Sequence, residues 1–227
     1  MYYYSSLELK KNYLFENWKL LLAFLRPGFF LSTALESLVL SFSVLSTALF
    51  SEQDIANFAL TIKRDVKKIV LINAAALSKD GLAAKYSTDN WDQVINVNLR
   101  GSFLLTKAML IPMMEANWGR IIHISSVAAI RGVPGTIAYS AAKTGLLGMS
   151  RVLANEYARF GITSNVLVPG YFNTGLIETI SEKLRKKILD SIPSGKLGDP
   201  SNIFNAIEFL IKSEYVNGSV VHLDGGM

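Results

Sequence analysis

The sequence predicts an α/β fold, a doubly wound parallel sheet, carried by a single domain over residues 1–227 with an atypical segment over 1–50. Three observations predict it. From Ile69 onward, short apolar runs alternate with helical stretches whose lengths suit parallel crossovers. The apolar runs are continuous rather than alternating, as in strands covered on both faces. Asn73, Ser126 and Pro169-Gly170 each follow a predicted strand, and the ligand crevice of such a sheet lies beyond the carboxyl ends of its strands.

The elements follow in order. Ile69 to Ile72 reads as a buried strand entering the loop Asn73-Ala74-Ala75-Ala76. Ser87-Thr88-Asp89 offers N-cap residues for a long helix reaching about Asn117. Gly119 leads into a second strand, Arg120 to Ile124. A Gly/Pro-rich loop, Arg131 to Gly135, precedes a helix from about Ala138 to Arg159, which Gly161 ends. Ile162 to Val168 is a third strand, stopped by Pro169-Gly170. Asp199-Pro200 pairs an N-cap with a proline at the first helical position and opens a helix through Ile211. Ser219 to Leu223 supplies the last strand.

Composition narrows the function. Half of the residues are hydrophobic and 18% are charged, a globular profile. There is no Cys, which excludes disulfides, thiolate metal sites and a Cys nucleophile. The two His, His123 and His222, lack ligand-like spacing and read as strand positions, so no metal is expected. The net charge of +5 is spread along the chain without the aromatic interleaving of a nucleic-acid groove. An acidic partner would be weakly favoured by that field. Leu20 to Phe50 holds only Arg26 and Glu36 as charges. Its longest uncharged run, Ser37 to Ser51, is 15 residues, short of the roughly 20 that span a membrane. A buried helix and strand explain it better than a span, and Glu8 and Glu16 argue against a transit peptide.

The chemistry centres on Tyr139-Ser140-Ala141-Ala142-Lys143, which puts a phenol and an ammonium on one helix face. A nearby cation favours phenolate and lowers a phenol pKa that starts near about 10. By chance alone, roughly 0.6 such pairs are expected in a chain of this composition, so context must add weight. Ser126 ends a strand behind a loop that could fold it back toward Tyr139, and two hydroxyls together could hold a carbonyl oxygen. Asn98 sits in mid-helix, where Asn has poor propensity; a solvent-facing side chain is the plain alternative.

These elements closely resemble the classical short-chain dehydrogenase/reductases. Asn73-Ala74-Ala75-Ala76 stands for that family's Asn-Asn-Ala-Gly. Asn98, Ser126, Tyr139-xxx-Lys143 and Pro169-Gly170-Tyr171-Phe172-Asn173-Thr174 follow in its order and spacing, over about Ser51 to Met227. The resemblance implies a Rossmann-like sheet with truncated or irregular N-terminal βα units. It implies Tyr139 as acid/base, Ser126 orienting the substrate carbonyl, and Lys143 lowering the Tyr pKa and holding the nicotinamide ribose. Asn98 would position a water in a proton relay. Asn73, Ala74 and Ala75 would line the adenosine side of the coenzyme, and Pro169, Gly170, Phe172 and Thr174 the nicotinamide side. Within the family, the chain looks most like the 3-oxoacyl-[acyl-carrier-protein] reductases. The supporting stretches are Asn73 to Leu82, Gly145 to Gly148, Ile192 to Gly198 and His222 to Gly226. That likeness implies NADP(H) rather than NAD(H), an acyl-carrier-protein-linked or small-molecule substrate, a homo-oligomer (dimer or tetramer), and a cytoplasmic or, alternatively, mitochondrial setting.

The front of the chain departs from the pattern. The family's Thr-Gly-xxx-Gly-x-Gly turn, whose glycines admit a pyrophosphate to a helix N-terminus, is missing. Gly28 is the only early glycine, aromatics follow it, and only 44 residues separate it from Asn73. A second reading is therefore non-enzymatic: a catalytically weak subunit that assembles with an active relative. A third, hydrolytic reading rests on Ser140-xx-Lys143 and Lys143-Thr144-Gly145. It fails, because those two motifs would need separate lysines facing each other across a cleft.

Overall fold

The computed structural model describes residues 37–42, 68–173 and 181–227, all within one compact unit, Glu36–Met227. Most of the atypical segment over 1–50 lies outside them. Among the described residues, five parallel strands form the sheet: β1 (Ser37–Phe42), β2 (Lys68–Asn73), β3 (Gly119–Ile124), β4 (Ile162–Pro169) and β5 (Val220–Leu223). Their spatial order is their chain order, β1-β2-β3-β4-β5. The strand expected within Leu20 to Phe50 is β1, paired in register from Ser37↔Lys68 to Phe42↔Asn73; the helix expected beside it lies outside the described residues.

The long helix after Ser87 forms in three parts: α1 (Thr88–Ile95), a π-helical turn (Asn96–Arg100) and α2 (Gly101–Glu115). Ser87 caps it as expected, its hydroxyl accepting from the Asn90 amide at 3.2 Å. The combined 28 residues are long and apolar enough to cross a membrane, but half of the most apolar window is buried, as in a core helix. Next come α3 (Ala128–Arg131), α4 (Ile137–Tyr157), α5 (Glu182–Ser191) and α6 (Pro200–Lys212). Asp199 caps α6 through the Ser201 amide at 2.8 Å. Neither α3 nor α5 was among the elements expected from the sequence. α3 is a single turn, and α5 buries no residue, its apolar stripe being only Leu184, Ile188 and Leu189 in an otherwise charged segment.

Helices cover both sheet faces, as the doubly wound prediction requires. Ile69, Leu71, Ile121 and Ile162 pack against Met109 and Met113 of α2 and Tyr157 of α4. Val70, Ile72, Ile122 and Leu167 pack against Ile207 and Leu210 of α6. The odd and even positions of each strand thus serve different helices, so both sets must be apolar. The chain advances across the sheet in one direction while α6 lies opposite α2 and α4. The β4-to-β5 crossover therefore has the opposite hand to the β2-to-β3 and β3-to-β4 crossovers, a departure from the usual right-handed rule. Side chains support that departure. Buried Arg120 on β3 donates through Nε to the Ile211 carbonyl at 3.0 Å, at the end of α6. Asn165 on β4 holds the Val216 carbonyl and the Ser219 amide, at 2.8 and 3.0 Å, which fixes where β5 begins.

The strands also start at a tight corner. Gly161 has φ +68°, and a Cβ there would lie 2.5 Å from the Asn117 carbonyl oxygen. Replacing Gly161 with Ala adds left-handed backbone strain to a clash with backbone that cannot move away. Urea denaturation should show a loss of about 1–3 kcal/mol; a loss within ~0.5 kcal/mol, the range of neutral surface changes, would contradict this account of the corner.

Candidate active site

Lys143 is the centre of the site. It lies on α4 facing the sheet and is 1% exposed. Its Nζ donates to the Ala75 carbonyl at 2.7 Å and to the Ile124 carbonyl at 2.9 Å, at the carboxyl ends of β2 and β3. Among the described residues no carboxylate answers the charge, and burial pulls the pKa down to about 7. The Lys143 backbone is fixed too, its carbonyl accepting from Ser125 Oγ at 2.9 Å. One helical turn earlier sits Tyr139, with the Lys143 ammonium 5.8 Å from its ring centroid.

Tyr139 and Ser126 are brought together, as the sequence indicated. Burial pushes the Tyr139 phenol up from its ordinary value, and a hydrogen bond with Ser126 partly offsets that. The expected lowering by Lys143 is therefore corrected: the net direction is upward. The physical reason is burial of the phenol, which disfavours the phenolate more than the Ser126 hydrogen bond favours it. The Ser126 side chain, through Oγ, also accepts from the Ala128 amide at 3.2 Å, which starts α3. α3 is then bolted to α4. Ser140 Oγ donates to the Ala128 carbonyl at 3.0 Å, and Thr144 Oγ1 to the Ala129 carbonyl at 3.0 Å. Those hydroxyls, missed in the sequence, lie one residue after Tyr139 and Lys143 and set the Ser126–Tyr139 relation. Their signal was polar residues on a helix face turned toward the small-residue segment Val127-Ala128-Ala129.

Asn98 is fully buried in the π-helical turn, so the solvent-facing alternative is excluded. Its Oδ1 accepts from the Leu77 amide at 2.8 Å and its Nδ2 donates to the Leu77 carbonyl at 2.7 Å. The side chain thus pairs with Leu77 as a strand neighbour would. Its own carbonyl accepts from Ser102 Oγ at 3.0 Å. Gly145 lets α4 close on this turn, because a Cβ there would meet Leu99 at 2.9 Å.

The residues expected to line the coenzyme divide. Ala75 is at the site through its carbonyl. Ala74 packs instead with the α6 face of the sheet. The Asn73 side chain turns toward α2. It is buried on the α2 side, with Nδ2 donating to Thr106 Oγ1 at 3.1 Å and lying 3.0 Å from His123 Nδ1. A residue on a central strand that points at a covering helix cannot also point into the crevice. The Pro169 carbonyl accepts from the Val127 amide at 2.9 Å, joining the ends of β4 and α3. Gly170 is pressed on the C-terminal segment, where a Cβ would lie 2.9 Å from Asp224 Cα. The Phe172 ring is buried against Gly198, whose added Cβ would be 2.7 Å from Cε1. Thr174 lies outside the described residues.

The fit to a nicotinamide coenzyme is therefore uneven. Two of the three Lys143 ammonium protons are satisfied, which leaves one donor beside the Tyr139 phenol for a ribose hydroxyl. The segment after β1, beginning Ser43-Val44-Leu45, contains no glycine before Gly81, so no glycine turn follows the strand beside β2. Among the described residues no group of acidic, His or Cys side chains could hold a metal.

Comparison with known proteins gives the class. The family model described as enoyl-(acyl carrier protein) reductase matches residues 34–227. The 3-oxoacyl-[acyl-carrier-protein] reductase of Rickettsia felis is 37% identical over 73% of this chain and 70% of its own length. That of Aquifex aeolicus is 37% identical over 70% of this chain and 64% of its own length. Nodulation protein G of Azospirillum brasilense is 38% identical over 78% and 76%. A crystal structure assigned as a 2-deoxy-D-gluconate 3-dehydrogenase from Agrobacterium tumefaciens, with bound NADP, superposes with TM-score 0.66 and 33% identity. It covers 69% of this chain and 66% of that one. The chain belongs to the short-chain dehydrogenase/reductase family, a class of NAD(P)-dependent oxidoreductases. It spans roughly two thirds of the length of these relatives, 64% in the Aquifex case.

His123 gives the site a pH signature. Burial, and then the Lys143 charge, lower its pKa from 6.5 to about 3. Its proton is taken up by the unfolded chain below pH 6.5 but by the folded one only near pH 3. Stability from this group is thus complete above pH 6.5 and declines as pH falls toward 3. At about pH 5 the decline amounts to roughly 2 kcal/mol. Melting curves at pH 7 and pH 5 should show a smaller drop in Tm for His123→Asn than for the wild type. Equal drops would remove His123 as the source.

Proposed function

We propose that this protein reduces a 3-oxoacyl thioester to its 3-hydroxyacyl form at the expense of NADPH. The observation that carries the reading is the convergence of Ser126, Tyr139 and Lys143 at the carboxyl ends of adjacent strands, in a chain whose relatives include acyl-carrier-protein reductases. Nodulation protein G and the Agrobacterium dehydrogenase support the class but leave other ketone or alcohol substrates as rivals.

The residues divide the work as follows. The bound coenzyme would supply hydride to the carbonyl carbon. Tyr139, kept protonated near neutrality by burial, gives its phenolic proton to the carbonyl oxygen as charge develops there. Ser126 donates to the same oxygen and holds its direction. Lys143 keeps one ammonium proton free to hold the nicotinamide ribose, and its charge stabilises the phenolate left on Tyr139. Asn98 is in this reading a positioning residue, which holds Leu77 and so the loop that carries the Ala75 carbonyl. NADP is favoured by the coenzyme in the Agrobacterium structure. The relatives named are bacterial, which supports a cytoplasmic setting and gives no support to a mitochondrial one. Exposed Phe103, Ile111 and Val152 on α2 and α4 support a homo-oligomer.

The second reading, a weak subunit paired with an active relative, is favoured by the glycine-free stretch between Gly28 and Gly81. Calorimetric titration with NADPH and with NADH separates the two. Micromolar binding is expected, tighter for NADPH; no binding to either would hand the case to the subunit reading. Tyr139→Phe should then lower kcat at least about 100-fold with NADPH affinity unchanged. Undiminished turnover in that variant would sink the mechanism.

A further inference from the structure

The two carbonyls that hold Lys143 belong to neighbouring strands, and something must set their separation. Asn73 and His123 are the last residues that pair in register between β2 and β3. Ala75 lies two residues beyond Asn73, and Ile124 directly follows His123. The side chains of the pair face α2 and are joined, Asn73 Nδ2 to His123 Nδ1 at 3.0 Å. The same Nδ2 reaches Thr106 Oγ1 of α2 at 3.1 Å. All three side chains are buried. We propose that Asn73, Thr106 and His123 are positioning residues for Lys143, a buried clamp that fixes the spacing of the Ala75 and Ile124 carbonyls and so the site of its ammonium.

The chemistry of the clamp follows from its donors. With the Asn73 amide oriented so that Nδ2 faces the ring, His123 Nδ1 accepts and the ring proton sits on Nε2, which, like Asn73 Oδ1, is buried without a hydrogen-bond partner among the described residues. The imidazole is neutral at working pH because burial, and then the Lys143 charge, lower its pKa to about 3. Neutrality matters, because a charged ring here would repel the ammonium. The titratable groups that meet Lys143 are His123 from β3 and Tyr139 from its own helix; Asn73 of β2 and Thr106 of α2 are uncharged. With the clamp gone, the strand ends are free to separate, an acceptor for the ammonium weakens, and Lys143 should lose its proton more readily.

This inference rests on the role given above to Lys143, and its first test needs no turnover. The pH titration of the Lys143 side chain is followed by NMR in protein labelled at lysine Cε, the signal assigned by its loss in Lys143→Met. His123→Leu should move that titration down by roughly half a unit or more. His123→Asn, whose amide oxygen can accept from Asn73, should bring it back. Turnover gives the second readout: kcat in His123→Leu falls about tenfold at unchanged KM, and its high-pH limb shifts down with the titration. An unmoved or raised titration in a folded His123→Leu protein overturns the proposal, as does lost activity explained by lost stability alone. Should His123→Leu not fold, Thr106→Val is read the same way, and an unmoved titration there overturns it equally. A wild-type protein without reductase activity would instead end the functional reading, while the Lys143 titration still decides this one.

Discussion

One buried ammonium organises the functional end of this molecule. The Lys143 Nζ accepts its place from two carbonyls on adjacent strands, and so joins β2, β3 and α4 at a single point. A lysine that deep is costly unless its protons find acceptors. Peptide carbonyls supply them without bringing a compensating negative charge. An aspartate in their place would hold the ammonium more tightly and keep it fully charged, but would also quench the field it projects toward the phenol. Neutral acceptors leave that field available, at the expense of a lysine that sits near its own titration point.

The same economy runs through the surroundings. Asn98, Ser125, Ser140 and Thr144 spend their polar atoms on backbone groups and not on one another. Each bond ties a loop or short helix to a longer element, so the crevice floor is rigid although much of it is loop. Tyr139 is the exception. Its ring is packed while its hydroxyl meets Ser126, which leaves the phenol as the polar group in the site least committed to structure and most ready to act.

Much of this was legible in the sequence, and the reasons are local. Strand positions showed because both faces of the sheet are covered, which forces continuous apolar runs such as Ile69 to Ile72. Ser87, Asp199 and Gly161 marked helix ends through their own chemistry. Tyr139, Lys143 and Ser126 showed because spacing along one helix and one strand end places them. The side-chain directions of Asn73 and Phe172 could not be read for one shared reason: motif position tells which loop a residue joins, while side-chain direction depends on the facing element. For Asn73 that element is Thr106 on α2, and for Phe172 it is the bare face of Gly198. The π-helical turn at Asn96–Arg100 could not be read, since its five residues suit an ordinary α-helix equally well. The reversed crossover before β5 was equally hidden, because handedness is a property of tertiary packing.

The strand order bears on how the protein is made. Among the described residues, each strand from β1 to β5 takes its place beside the described strand synthesised before it. A strand leaving the ribosome therefore finds its neighbour already formed and an open edge waiting, with no need to wedge between two earlier strands. The described sheet can lengthen by simple addition during translation, at the pace of roughly 5–20 residues per second at which chains emerge. The Lys143 anchor becomes available as soon as α4 is out, before β4 exists. The active-site floor can thus be set while about a third of the chain is still unmade, and the last strand has only to close an edge.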